Sequence, residues 1–199
     1  MSLEFDEQLS LLQKPNKDEM DPEYFEMLEK TTDGMMENMG FINNLFKILP
    51  LNPSEHLGFL AFKNSLFDPE TTYLPEFEKE MIGLVVSSTN KCAYCQCTHS
   101  DNLRGLTGDP EWVDQLVHNW RECYHLTEKQ RAICKYAEYI TRYVAEVDAE
   151  EQVNALRAAG LNDHEILECA YVAGFFNYTN RWVSTIKATP NLGHYQHNR

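Results

Sequence analysis

Three residues near the middle of the chain have types and spacing suited to thiol redox chemistry: Cys92, Cys95 and His99. On a helix they share one stripe with Asn102, at i, i+3, i+7 and i+10, where an ordinary core helix carries Leu or Ile. Two cysteines one helical turn apart have Cα atoms about 5 Å from each other, inside the separation a disulfide accepts. The pair can therefore hold and release two electrons. A reactive cysteine must be a thiolate, and the first turn of a helix favours that state at Cys92. His99 favours the other sulfur, because it stands at i+4 from Cys95 but about 10 Å along the axis from Cys92. On this geometry Cys95 is the attacking thiol, His99 its proton acceptor and Cys92 the resolving partner, with the helix terminus pulling toward the opposite order. No metal is expected, since one straight helix cannot bring Cys92 and His99 within the roughly 4 Å that separates ligands of a tetrahedral zinc. Cys97 points roughly 200° away from Cys95 on the helical wheel and reads as a packed or idle thiol. Cys123, Cys134 and Cys169 lie in apolar or amphipathic stretches and read as small buried hydrophobes.

The elements that must position these residues are helices. A capping residue followed by Pro, or by an acidic or amide residue at the third position, recurs along the chain. Asp21-Pro22, Asn52-Pro53, Asp109-Pro110, Thr127 with Gln130, Asp148 with Glu151, and Asn162 with Glu165 are the instances. For the cysteine helix, Asn90 is the expected cap and Gly105 the expected stop. The preceding run, Ile82 to Val86, is short and apolar enough to be a buried strand, and a strand before C-x-x-C would suit a thioredoxin-like fold. That fold needs further strands downstream, where helix starts occur instead. Residues 75–88 are therefore read as a helix, and the chain as an all-α bundle of about eight or nine helices with short connections. Residues 1–20 form a polar N-terminal arm, 21–190 a single helical domain and 191–199 a polar C-terminal tail.

Composition narrows the function. The chain has 199 residues, 31 acidic against 17 basic, and a formal net charge of −14, which disfavours nucleic acid and anionic membranes as partners. No apolar run approaches the roughly 18 residues of a membrane span. The acidic start, with Glu4, Asp6 and Glu7, is unlike a signal peptide. A cytoplasmic protein is the expectation. Glu80 belongs on spacing alone to a charged first turn with Glu76, Glu78 and Lys79, of a kind that is usually solvated.

The spacing Glu80-x11-Cys92-x2-Cys95-x3-His99 resembles the active-site motif of the alkylhydroperoxidase D family, within the carboxymuconolactone decarboxylase superfamily. The segment from Val86 to His99 is most similar to the peroxidase-related branch. Gly40-Phe41-Ile42-Asn43-Asn44-Leu45-Phe46 resembles that branch's early loop, and Phe175 to Arg181 its final helix. The resemblance implies an all-helical fold, assembly into trimers or hexamers, and reduction of hydroperoxides without a cofactor. It implies Cys95 as the peroxidatic cysteine, Cys92 as the resolving one, His99 and Glu80 as a proton relay, and a dithiol or lipoyl-type protein as reductant. Tyr94 stands where the best characterised members carry a second histidine. Two other readings remain: a lyase resembling carboxymuconolactone decarboxylase, which has no evident use for a disulfide-forming pair, and a helical binding module whose thiols sense oxidation without turnover.

Overall fold

The structure, a computed structural model, describes residues 3–145 and 148–199. Among these it is all-helical. The helices are α1 (Pro22–Met39), α2 (Leu45–Ile48), α3 (Pro53–Phe67), α4 (Glu76–Asn90), α5 (Ala93–Thr107), α6 (Pro110–Asn119), α7 (Glu128–Arg142), α8 (Ala149–Ala158) and α9 (Asp163–Thr185), with short 3-10 turns at Lys17–Glu19, Leu49–Leu51 and Leu192–Tyr195. No helix among the described residues is long and apolar enough to cross a membrane.

Local capping chemistry sets most of the starts. Asp21 accepts from the Glu23 and Tyr24 backbone N–H groups, Asp109 from Trp112 and Asp148 from Glu151. Thr127 and Asn162 each close a reciprocal capping box with Gln130 and Glu165. Asn52 takes the cap position of α3 without a side-chain hydrogen bond.

Helix α4 is the axis of the molecule, packed by α5, α6, α7 and α9. Every residue from Glu78 to Ser87 is buried. Its expected solvated first turn is thus partly interior. Lys79 is 1% exposed, donates to the Leu66 carbonyl at 2.9 Å and pairs with Glu168 at 3.3 Å. Glu168 in turn accepts from the Tyr73 and Leu74 backbone N–H groups, which fixes the loop entering α4. The buried charges are tolerated because each is matched by hydrogen bonds from the neighbouring loop and helix.

Both termini are docked on the helices. Leu3 is buried against α1, and the Leu9 and Leu11 backbones bond to Thr189 and Ile186. The tail folds over α5, where Asp101 and Arg104 hold it.

Candidate active site

Helix α4 ends at Lys91, which adopts a left-handed backbone with φ 55°. This turn corrects the expected cap. Asn90 is the last residue of α4, and its amide reaches across to Asn177 and Asn180 on α9. The cap of α5 is Cys92 itself, whose sulfur accepts from the Cys95 backbone N–H at 3.4 Å. The helix also runs past Gly105 and stops at Gly108, where φ is 65°.

Capping by sulfur favours negative charge on Cys92 over Cys95. The Cys95 thiol donates to the Cys92 sulfur, and this hydrogen bond is the largest influence on both groups. It lowers Cys92 to about 6 against the opposing effect of burial, with help from Ser184, the Cys95 N–H and the field of His99. The same bond, followed by burial, raises Cys95 well above its ordinary value, with Asn180 opposing. Both directions favour the charge of the pair on Cys92, at the helix cap and facing the Cys95 S–H. Cys97 is buried on the tail side of α5, and burial pushes it up to about 11. Cys123, Cys134 and Cys169 sit in the main core.

Glu80 and His99 are joined. The carboxylate accepts from His99 Nδ1 at 2.7 Å through one oxygen and from the Asn102 amide at 3.1 Å through the other. Glu80 is 5% exposed, far from the solvated state that its neighbours suggested. With Nδ1 bonded to a carboxylate, Nε2 is left as the second working nitrogen of His99. The Phe176 ring packs edge-on against the imidazole, 4.4 Å between centroids.

Cys95, His99 and Glu80 line one cavity of ≈ 240 Å³ whose walls are mainly apolar, with Phe59, Phe175 and Phe176 among them. Cys92 lies behind Cys95 and is not part of the lining. Tyr94 closes one side: its hydroxyl donates to Asn43 and accepts from the Leu45 N–H, tying the loop before α2 to the cysteine helix. Burial raises the Tyr94 hydroxyl, so it keeps its proton. Asn180 and Ser184, both bonded to the cysteine pair, were not singled out from the sequence. Their signal was the polar stripe Asn177, Asn180, Ser184 on an otherwise apolar stretch of α9.

Fold and site together define a helical protein with a buried dithiol beside a carboxylate–histidine pair. Residues 58–139 match the model of the Carboxymuconolactone decarboxylase family. An uncharacterized peroxidase-related protein from Silicibacter sp. TM1040 has the same fold with a TM-score of 0.86 and 35% identity, covering 97% of each chain. The chain belongs to the alkylhydroperoxidase D-like group of the carboxymuconolactone decarboxylase superfamily. A peroxidase-related protein with an alkylhydroperoxidase AhpD core, from Ralstonia eutropha JMP134, is 27% identical with a TM-score of 0.86 over 97% of this chain and 98% of its own. The debrominase Bmp8 shares the fold alone, at 19% identity and a TM-score of 0.74 over 93% and 95% of the two chains. Among curated proteins, the uncharacterized protein YdfG of Bacillus subtilis (strain 168) is 32% identical over 63 residues, a segment spanning 32% of this chain and 42% of that protein.

Proposed function

We propose that the protein is a thiol-dependent peroxidase that reduces hydroperoxides through Cys95 and Cys92. The observation that carries this is the convergence of Cys95, His99 and Glu80 on one apolar cavity, with the Cys92 sulfur accepting from the Cys95 backbone N–H behind it. Relatives named as peroxidase-related support the class of reaction.

In this mechanism the thiol that meets the substrate is Cys95, because it borders the cavity. Its proton passes to Cys92 along their hydrogen bond, and the Cys95 thiolate attacks the terminal peroxide oxygen. A sulfur–oxygen bond forms, the oxygen–oxygen bond breaks, and the leaving alkoxide takes a proton through the His99–Glu80 relay. Cys92 then condenses with the sulfenic acid, giving a disulfide and water. A dithiol or lipoyl-type protein reopens the disulfide by exchange and leaves oxidised itself. The scheme includes a cytoplasmic setting, where such dithiols stay reduced. It also includes a homo-oligomer, a trimer or hexamer, to which the exposed Leu57 and Phe62 of α3 would contribute apolar surface.

The deciding experiment follows cumene hydroperoxide consumption with a dithiol reductant. Wild type should turn over, and Cys95→Ser and Cys92→Ser should not, with Cys95→Ser also losing the first oxidation. Consumption that stops after one peroxide per chain in the presence of reductant would replace the enzyme with a sensor. No consumption and no Cys92–Cys95 disulfide would remove the redox reading and favour the lyase.

A further inference from the structure

Helix α9 presents to solvent a stripe that its own fold does not use. The exposed residues Leu167, Tyr171, Gly174, Tyr178, Arg181 and Thr185 recur at alternating steps of four and three. That is the 3.5-residue repeat by which one helix seats another. The opposite face already fills the core with Val172, Ala173, Phe176 and Val183, so the outer stripe is a second apolar face. Leu167, Tyr171 and Tyr178 are each more than half exposed. Tyr178 adjoins Phe175, and Phe175 the exposed Phe62 of α3 at 5.2 Å, which widens the strip. A contiguous exposed apolar strip marks an interaction surface.

Gly174 lies in the middle of this stripe, where glycine costs a helix about 0.5–1 kcal/mol relative to alanine. Its own chain does not require it. Among the described residues no atom comes within 4 Å of the place a Cβ would take, whereas Gly83 is pressed by Phe176. Between two exposed tyrosines it leaves a notch where another helix can approach closely. Charge selects the occupant. Arg181 donates to Asn177 of its own helix and makes no ion pair with a carboxylate among the described residues. At the other end Asp163 has a 78% exposed side chain, and Arg157 engages only its Oδ1. With a second α9 laid antiparallel and the two glycines at the crossing, Arg181 faces the partner's Leu167. The partner's Asp163 then lies one turn further, about 6 Å along the axis and within an arginine's reach. A stripe that is acidic at one end, apolar in the middle and basic at the other complements itself under a two-fold axis.

We propose that α9 is a two-fold interface on which a second copy of this chain seats antiparallel, crossing at Gly174. The net charge of −14 on each copy opposes association, but beyond about 8 Å that repulsion is screened at physiological ionic strength, and the middle of the seam is uncharged. The interface rests on the surface of α9 and not on the peroxidase reading. In a hexamer it is the contact that joins two trimers.

The test is the mass of the full chain by light scattering after size exclusion, over a dilution series and without peroxide, so that its outcome is separate from that of the peroxidase assay. Wild type should form an even-numbered assembly. Gly174→Leu, which fills the notch, and the double variant Tyr171→Glu with Tyr178→Glu should each halve that mass and keep the helical circular dichroism of wild type. Arg181→Glu should weaken the assembly about 10-fold, the scale of two surface ion pairs, one at each end of the seam. Adding Asp163→Arg to it should restore the assembly, a rescue that a folding defect cannot give. A monomeric or trimeric wild type, which would leave the face to a different protein or to none, overturns the proposal. So does an unchanged mass in the folded variants, or a charge exchange that fails to rescue. Should the bulky variants unfold, the charge exchange decides alone.

Discussion

The Phe176 ring meets His99 edge-on at 77°, and the same ring lies so close to Gly83 that a Cβ there would come within 2.8 Å of it. Glycine on the central helix is thus what lets an aromatic wedge seat the imidazole. Gly83→Ala should push Phe176 off its position, destabilise the fold by about 1–3 kcal/mol and lower turnover through His99. Chemical denaturation and peroxide assays on the same variant check this. Unchanged stability together with wild-type kcat would show that the contact does nothing for the site.

Glu80→Gln keeps the size of the side chain and an oxygen for His99, but removes the negative charge behind the imidazole. Turnover should fall about 10²-fold while the KM for cumene hydroperoxide stays the same. Loss of binding with retained kcat would make Glu80 a wall of the cavity and not part of a relay.

Cys92, lowered to about 6, predicts a thiolate absorbance step near that pH. The step should vanish in Cys92→Ser. It should move upward in Cys95→Ala, because the largest influence holding Cys92 down is the Cys95 hydrogen bond. The sign for stability follows: the folded value lies below the unfolded one, so the contribution is complete above the ordinary thiol range near 9 and is lost as pH falls through about 6. Wild type should therefore lose stability relative to Cys92→Ser on acidification across that window. A parallel pH dependence of the two proteins would refute the assignment.

Lys79→Met leaves Glu168 buried without its cation. Breaking such a pair costs about 3–5 kcal/mol, read as a lowered denaturation midpoint. The variant's peroxide chemistry should persist where it remains folded, since the groups Lys79 bonds to, the Leu66 carbonyl and Glu168, lie outside the cavity lining.

How much of this was legible in the sequence divides along the range of the interactions. Caps such as Asp109, Thr127 and Asn162 were readable because capping is chemistry between residues two or three apart. The Cys95, His99, Asn102 stripe was readable because helical periodicity places side chains on a face, whereas Cys92, expected on the same stripe, is the extended cap outside the helix and outside the cavity lining. Glu80 gained its partner only through the resemblance, since its own neighbourhood reads as surface. Asn90 was misassigned as a cap because the left-handed turn at Lys91 transfers that role two residues on. His194 was out of reach. Its partner Asp101 lies 93 residues earlier, and nothing local distinguishes a packed tail from a solvated one.

Cys92 is both the cap of α5 and one of the two sulfurs that would be joined. Each oxidation would then strip the helix of its anionic cap, and each reduction would restore it. Whatever the thiolate gains from the helix terminus and from Cys95 stabilises the dithiol form alone, which raises the reduction potential of the couple and makes its disulfide easier to reopen. The helix end thereby sets the driving force available to the electron donor, and amide exchange in the first turn of α5 would report the oxidation state of the molecule.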